Sequence, residues 1–366
     1  MPASHRASRI GFLLLLILSA VSPLLAQKAP RPSPAFDVTK VTDGIYACVR
    51  REAPSLWFTP NNVFIVGKKE VAVVDSSISS AYASEVIDTL KQITNKPVKY
   101  LINTHWHEDH IGGNRAWQKA YPGLQIVGHR STLTDYPKIG AVNRKGGVEN
   151  GSSFVKMLRD AIDKGTDLAG QKITEEGRLG YSSDIDIVTS YLSDAADAPL
   201  MPTLLVDEKL RLDLDGQTID VMFLGRAHTA ADLVVHLPKK HIVASGDLTA
   251  YPVPLVGSTS YPLEYGSTLE KLLALKARIL IPGHGPVMRD DYYVKLMTRL
   301  LHTIKAQVEA AITRGNTLEQ ARKGVDLKEF ESAFCGDSQH RRFVFRNYVT
   351  LPAVAAAYSQ AKEIKK

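Results

Sequence analysis

His105-Trp106-His107-Glu108-Asp109-His110 gathers three of the chain's eleven histidines and two carboxylates into six residues. The block follows the apolar run 98–102 (VKYLI), which reads as a β-strand. Just past the end of that strand, His105 and His107 stand two residues apart and can project to the same side, so both imidazoles can bind one cation. Asp109 and His110, further round the loop, can face a neighbouring position. Gly112-Gly113 then lets the backbone turn tightly toward Asn114 and a helix behind it. Imidazoles with a carboxylate suit a borderline cation, zinc above all.

One loop cannot complete a four-coordinate site, so further ligands must come from elsewhere in the chain. Three candidates each sit where a predicted strand ends. His228 follows 221–224 in Gly225-Arg226-Ala227-His228-Thr229, and Asp247 follows 242–244 in Ser245-Gly246-Asp247-Leu248. His284 follows 279–281 in Pro282-Gly283-His284-Gly285-Pro286. Polar residues gathered beside glycines at strand ends are where layered α/β proteins build their sites. The remaining histidines of the chain body, His129, His236, His241, His302 and His340, are scattered without ligand spacing.

In this order, the motifs resemble those of the metallo-β-lactamase superfamily over about 37–290. Asp75, closing Val71-Ala72-Val73-Val74-Asp75, is similar to that family's first motif, an aspartate that supports the metal loop without binding metal. The resemblance implies an αββα four-layer sandwich of the metallo-β-lactamase type, with a dinuclear zinc site at one edge of the two sheets. Carried over by position, His105, His107 and His228 hold the first zinc. Asp109, His110 and His284 hold the second, and Asp247 bridges the two. Three-histidine β-lactamases carry a cysteine or serine where Asp247 stands, so Asp247 instead resembles glyoxalase-II-like and other hydrolase branches. Ala250 replaces a lysine that grips the β-lactam carboxylate in one subclass. His107, where the di-iron flavoprotein branch has glutamate, argues for hydrolysis over redox chemistry.

Outward from these motifs, 62–66 and 71–74 form one predicted hairpin. The alternating residues of 210–214 and 219–223 around Asp215-Gly216 form another, and 233–237 with 242–244 a third. A helix is expected over 80–92, and Ser267-Thr268-Leu269-Glu270 reads as a capping box opening a helix to about 276. The stretch 131–202 is a long insertion with helical patches at 154–164 and 185–195. Connections of that length are usually lids, binding loops or contacts. From 291 to 366 the chain reads as a helical extension, Leu296, Leu300, Ile304, Val308 and Ile312 falling at steps of four. Gly315 ends that helix and Asn316 or Thr317 caps the next.

The chain of 366 residues is 44% apolar and 23% charged, an ordinary globular composition. Arg6 and Arg9 precede an apolar run over 10–18, and a small-residue region ends at Ala26, so 1–26 reads as a secretory signal peptide. A retained anchor is the other reading, but Ser19, Ser22 and Pro23 interrupt the run. Residues 27–36 are a proline-rich lead-in. Export places the protein in the periplasm or outside the cell. Removing 1–26 lowers the formal charge from +7 to +5, too mild and dispersed for nucleic acid as a partner. Cys48 and Cys335 either pair or stay as free buried thiols.

The expected function is that of an exported dinuclear zinc hydrolase acting on a small molecule. A hydroxide shared by the two cations would attack an amide, lactone, ester or thioester carbonyl, with Asp109 orienting the water as well as binding metal. β-Lactam hydrolysis is one candidate activity. A glyoxalase-II-like thioesterase or a phosphodiesterase is the alternative, and a metal-bearing binding protein without catalysis the reading from another class. Trp57-Phe58 and Tyr261/Tyr265 either pack or line a substrate groove.

Overall fold

The apolar runs of the sequence become two stacked sheets in the computed structural model, which describes residues 36–51 and 55–364. The signal and lead-in readings lie outside the described residues, except Phe36, which opens the first strand. Sheet one has seven strands in chain order: β1 Phe36–Thr42, β2 Ile45–Arg50, β3 Asn62–Val66, β4 Val71–Val74, β5 Val98–Ile102, β6 Gln125–His129 and β7 Leu204–Val206. Sheet two runs β12 Ile279–His284, β11 Ile242–Ala250, β10 Leu233–Leu237, β9 Gln217–Phe223 and β8 Lys209–Leu214. Hairpins make β1–β4 and β8–β11 antiparallel; β4 to β7, and β11 with β12, pair in parallel.

Side-chain alternation sorts these strands into layers. Ile65, Ala72, Val74 and Ile102 face inward to meet Leu214, Val221, Val235 and Ile281 of the other sheet. The intervening Phe64, Val73 and Leu101 face outward, under α1 (Ser80–Ile93) and the helix at 114–120. Strands apolar on both faces are buried on both, which is what a helix-covered sheet requires. The outer face of sheet two, with Val234, Val243 and Leu280, packs in the same way under the helices that follow it. This is an αββα sandwich.

The remaining helices are α2 Glu108–Ile111, α3 Asn114–Ala120, α4 Thr132–Asp135, α5 Ala141–Lys164, α6 Glu175–Ser193 and α7 Pro262–Ala274. The tail adds α8 Tyr292–Thr313, α9 Leu318–Gly324, α10 Lys328–Cys335, α11 Gln339–Phe345 and α12 Leu351–Ile364. Ser79 caps α1 through the Tyr82 amide, and Thr317, rather than Asn316, closes a capping box on α9. Buried apolar residues of α7, α8 and α12 form one continuous cluster with sheet two. No helix among the described residues is long and apolar enough to cross a membrane.

Several boundaries differ from the sequence reading. Helix α7 starts at Pro262, not at Ser267: proline fits a first helical turn, and Thr268 is mid-helix, its hydroxyl donating to the Arg226 carbonyl at 3.0 Å. Helices α5 and α6 extend further toward their N-termini than the patches at 154–164 and 185–195. Gly147 and Gly151 disguise α5, yet they are where Tyr191 and Leu192 of α6 press on its backbone, at 3.1 and 3.0 Å from a notional Cβ. Strands β1, β2 and β7 went unread. Cys48 and Cys335 are both buried and free, and burial pushes each thiol up to about 12.

Candidate metal centre

All seven predicted donor residues meet at one edge of the sandwich, in two groups. In the first, His105 Nε2 and His228 Nε2 approach His107 Nδ1 at 3.1 and 2.9 Å. In the second, His110 Nε2 and His284 Nε2 lie 3.1 and 3.3 Å from Asp109 Oδ2, and each lies 3.3 Å from Asp247 Oδ1. Asp247 spans both groups, because its Oδ2 lies 3.5 Å from His228 Nε2 and 4.0 Å from His105 Nε2.

Local backbone explains how each donor arrives. Asp75 ends β4 at φ 60°, a left-handed conformation that few non-glycine residues adopt. There its carboxylate accepts the Thr104 amide at 2.8 Å and lies 2.8 Å from His110 Nδ1, which ties the metal loop to the end of β4. The loop itself runs against that strand end: a Cβ on Gly112 would sit 2.1 Å from the Ile78 carbonyl oxygen, and one on Gly113 2.1 Å from that of Ser76. On sheet two, a Cβ on Gly283 would meet Asp247 Oδ1 at 2.0 Å, so only glycine lets β12 lie beside the Asp247 carboxylate. The Tyr265 hydroxyl donates to the Asp247 carbonyl at 2.6 Å from beneath.

Each imidazole is also held from its far side. His228 Nδ1 meets the Leu255 carbonyl at 2.7 Å and His284 Nδ1 the Thr59 carbonyl at 3.0 Å. His105 Nδ1 meets Thr104 Oγ1 at 3.2 Å, and His107 turns Nε2 to Thr259 Oγ1 at 3.1 Å. Such contacts fix ring orientation and tautomer at metal sites. Sequence reading missed Thr59, Leu255 and Thr259. Two of the three act through backbone carbonyls, which no residue type announces, and Thr259 lies in an irregular loop.

The two groups differ in charge. Burial, then the neighbouring His110, drives His105 well below its usual range, while burial and His228 take His107 down to about 3. These imidazoles are neutral. In the second group burial opposes protonation, but Asp247 and Asp109 override it and raise His284 to about 10. His110 is likewise held well above its usual range against burial, by Asp109, Asp75 and Asp247. The same imidazoles hold Asp109 and Asp247 well below the carboxylate range despite burial.

The donor set fits a cation. His110 Nε2, His284 Nε2 and Asp247 Oδ1 are buried without a hydrogen bond although they converge at ion-pair distances. Buried polar atoms are normally satisfied, and atoms aimed at a common point without hydrogen bonds are what coordination satisfies.

A cavity of about 360 Å³ opens over the first group, bordered by His107, Asp109, His228 and Asp247. Its wall includes Trp57 and Phe58, as one sequence reading had it. Tyr261 and Tyr265 are not in it: Tyr265 is fully buried beneath Asp247, and Tyr261 stacks under Arg226. The insertion contributes Arg144 and Tyr191, and the tail contributes Tyr348. Glu108, inside the motif but without an assigned role, receives the Tyr136 hydroxyl and pairs with Arg144 at 2.6 Å, tying the metal loop to the insertion. His129, His236, His241, His302 and His340 stand outside both groups. His129 instead contacts Ser131 and the Asp207 carbonyl.

The chain is similar to known proteins. The chain is 23% identical over 285 residues to the metallo-β-lactamase type 2 of Bacteroides fragilis, covering 75% of this chain and 88% of that one. It is 24% identical over 257 residues to the linear primary-alkylsulfatase of Pseudomonas sp. (strain ATCC 19151), covering 66% of this chain and 44% of that protein, so it spans under half of that relative. The solved structure of the stereoselective inverting sec-alkylsulfatase Pisa1 from Pseudomonas sp. superposes with a TM-score of 0.63 at 13% identity, over 89% of this chain and 50% of that one. The metallo-β-lactamase superfamily itself matches residues 56–284, from the cavity wall to the last candidate donor, and the chain belongs to that superfamily, as a hydrolase.

Proposed function

We propose that this chain is an exported hydrolase holding two zinc ions, which cleaves an amide, lactone, ester or thioester bond in a small molecule. His105, His107 and His228 hold one ion, Asp109, His110 and His284 the other, and Asp247 joins them. The carrying observation is the carboxylate of Asp247, with one oxygen turned to each group of donors. A pair of cations there supplies a water of near-neutral pKa and polarises the carbonyl. The chain does the rest. Neutral His105 and His107 need lose no proton to act as donors. Asp109 borders the cavity with a 19% exposed side chain, so it can accept a hydrogen bond from the attacking water and orient it. Nearby Thr259 keeps the His107 ring in place. The apolar run at 10–18 supports export, to the periplasm or beyond.

A glyoxalase-II-like thioesterase is the second reading, favoured by an aspartate at 247 rather than cysteine or serine. Metal analysis of the purified protein, with turnover on a chromogenic cephalosporin, an ester and lactone series and a thioester, tests both. About two zinc equivalents are expected, with activity lost to a chelator and restored by zinc. Full metal occupancy with no bond in the panel cleaved would instead indicate a binding protein.

A further inference from the structure

Much of the cavity wall is apolar and cross-braced from four distant parts of the chain. Leu56, Trp57 and Phe58 come from the β2–β3 loop, Tyr191 from α6, Leu255 from the loop after β11, and Tyr348 from the turn between α11 and α12. Trp57 packs on Tyr191 with ring centroids 5.2 Å apart, and Phe58 on Tyr348 at 5.5 Å. The backbone of that loop is pinned from outside: buried Asp184 of α6 accepts the Ser55 hydroxyl at 2.7 Å and the Leu56 and Trp57 amides at 3.2 and 2.9 Å. From the tail, the Tyr348 hydroxyl donates to the Leu56 carbonyl, while its own carbonyl accepts the Val256 amide at 3.0 Å. The wall is therefore preformed, which spares a ligand the cost of ordering it.

Charge in the cavity is equally restricted. Among the described residues lining it, Arg144 is the only lysine or arginine. Its guanidinium is taken: it pairs with Glu108 at 2.6 Å and donates to the carbonyls of Asp194 and Asp197 at 2.6 and 2.7 Å. Among the described residues the wall leaves no lysine or arginine free for an anionic substituent, and an uncompensated charge against apolar walls is costly. At about 360 Å³ the space is at the small end of ligand sites.

Resting on the hydrolase reading, we infer that the substrate is a neutral ester, lactone or amide whose group beyond the scissile bond is a short apolar chain or ring, seated against Trp57 and Tyr191, and that substrates carrying a carboxylate there are rejected. Asp184 and Tyr348 are positioning residues for that wall.

The test compares p-nitrophenyl acetate, butyrate and hexanoate with the mono-p-nitrophenyl ester of adipic acid, the carboxylated counterpart of the hexanoate. The zinc-loaded protein should gain in kcat/KM roughly fourfold per buried methylene. Adipate should fall at least tenfold below hexanoate. Trp57→Ala should cut the hexanoate-to-acetate ratio about tenfold, and Glu108→Gln, which removes the carboxylate that neutralises Arg144, should raise the adipate-to-hexanoate ratio. Tyr348→Phe should raise KM for hexanoate more than it lowers kcat. Calorimetric binding of hexanamide and of adipic acid monoamide gives a readout independent of turnover. Preference for hexanamide without turnover would sink the hydrolase reading while leaving the wall's selection of neutral apolar groups standing. Turnover with equal handling of hexanoate and adipate, or no binding of either amide by a protein that cleaves nothing, would overturn it.

Discussion

The floor of the cavity and its wall are built by opposite uses of the chain. Floor side chains sit on strands or just beyond them: His105 just past β5, Asp247 within β11, His284 at the end of β12. Wall side chains come from a loop, an insertion and a tail, and keep their places through contacts as distant as Tyr348 to Leu56. Strands fix such side chains because a sheet leaves the backbone little freedom. A wall must instead be assembled from separate pieces, so it can be changed without touching the chemistry.

Removing the residue that joins both halves of the floor should have the largest effect. Asp247→Ala is expected to cost at least one metal equivalent and to lower kcat roughly a thousandfold, about 4 kcal/mol of barrier. Hexanamide binding should change far less. Turnover near the unmodified rate with full metal content would break the distinction between floor and wall.

That distinction also tracks what could be read from the sequence. All seven residues of the cluster were legible, because metal chemistry demands particular side chains and the sequence sets them in compact motifs beside glycines. From β3 to β12 the strands were legible where apolar residues alternated or ran together, except the three-residue β7, too short to stand out. Strands β1 and β2 were not, since polar Thr39 and Lys40 interrupt one and Arg50 ends the other. The wall was only half legible. Trp57 and Phe58 stood out as aromatics, but nothing near Tyr348 in sequence points to Leu56, 292 residues away. Glu108 lay in plain view inside the motif, and its partner Arg144 lay in a glycine-rich stretch that hides its helix.

Cutting that link should loosen the wall and spare the floor. Arg144→Met leaves Glu108, only 15% exposed at its side chain, without its cation and frees the carbonyls of Asp194 and Asp197. Breaking a buried pair from one side costs about 3 kcal/mol, to be read by denaturant unfolding. Hydrogen exchange should quicken across 141–164 while both zinc equivalents remain. A smaller effect is expected on the floor itself. Thr259→Val keeps the side-chain shape but removes the oxygen facing His107 Nε2, and loss of such support weakens metal binding roughly 10- to 100-fold. Competition with a chelator measures it; an unchanged affinity would show that the His107 ring is held by packing alone.

The smallest predicted effect concerns a floor support that destabilises when ionised. Asp232 accepts the Thr229 amide at 2.7 Å and hydroxyl at 2.8 Å, bracing the turn after His228, yet burial raises its carboxyl to about 6. Unfolded, the group ionises near 3.8. Below that value it is protonated in both states and contributes no pH dependence. Between the two values the folded state binds the extra proton, so stability falls as pH rises and then levels off above about 6. Asp232→Asn removes this titration. At matched metal content, the stability of the variant relative to the parent should therefore improve by on the order of 2 kcal/mol from pH 4 to pH 7. The sign is the sharper test: a change in the opposite direction would mean that the Thr229 bonds outweigh burial and that Asp232 braces the turn after His228 as an anion.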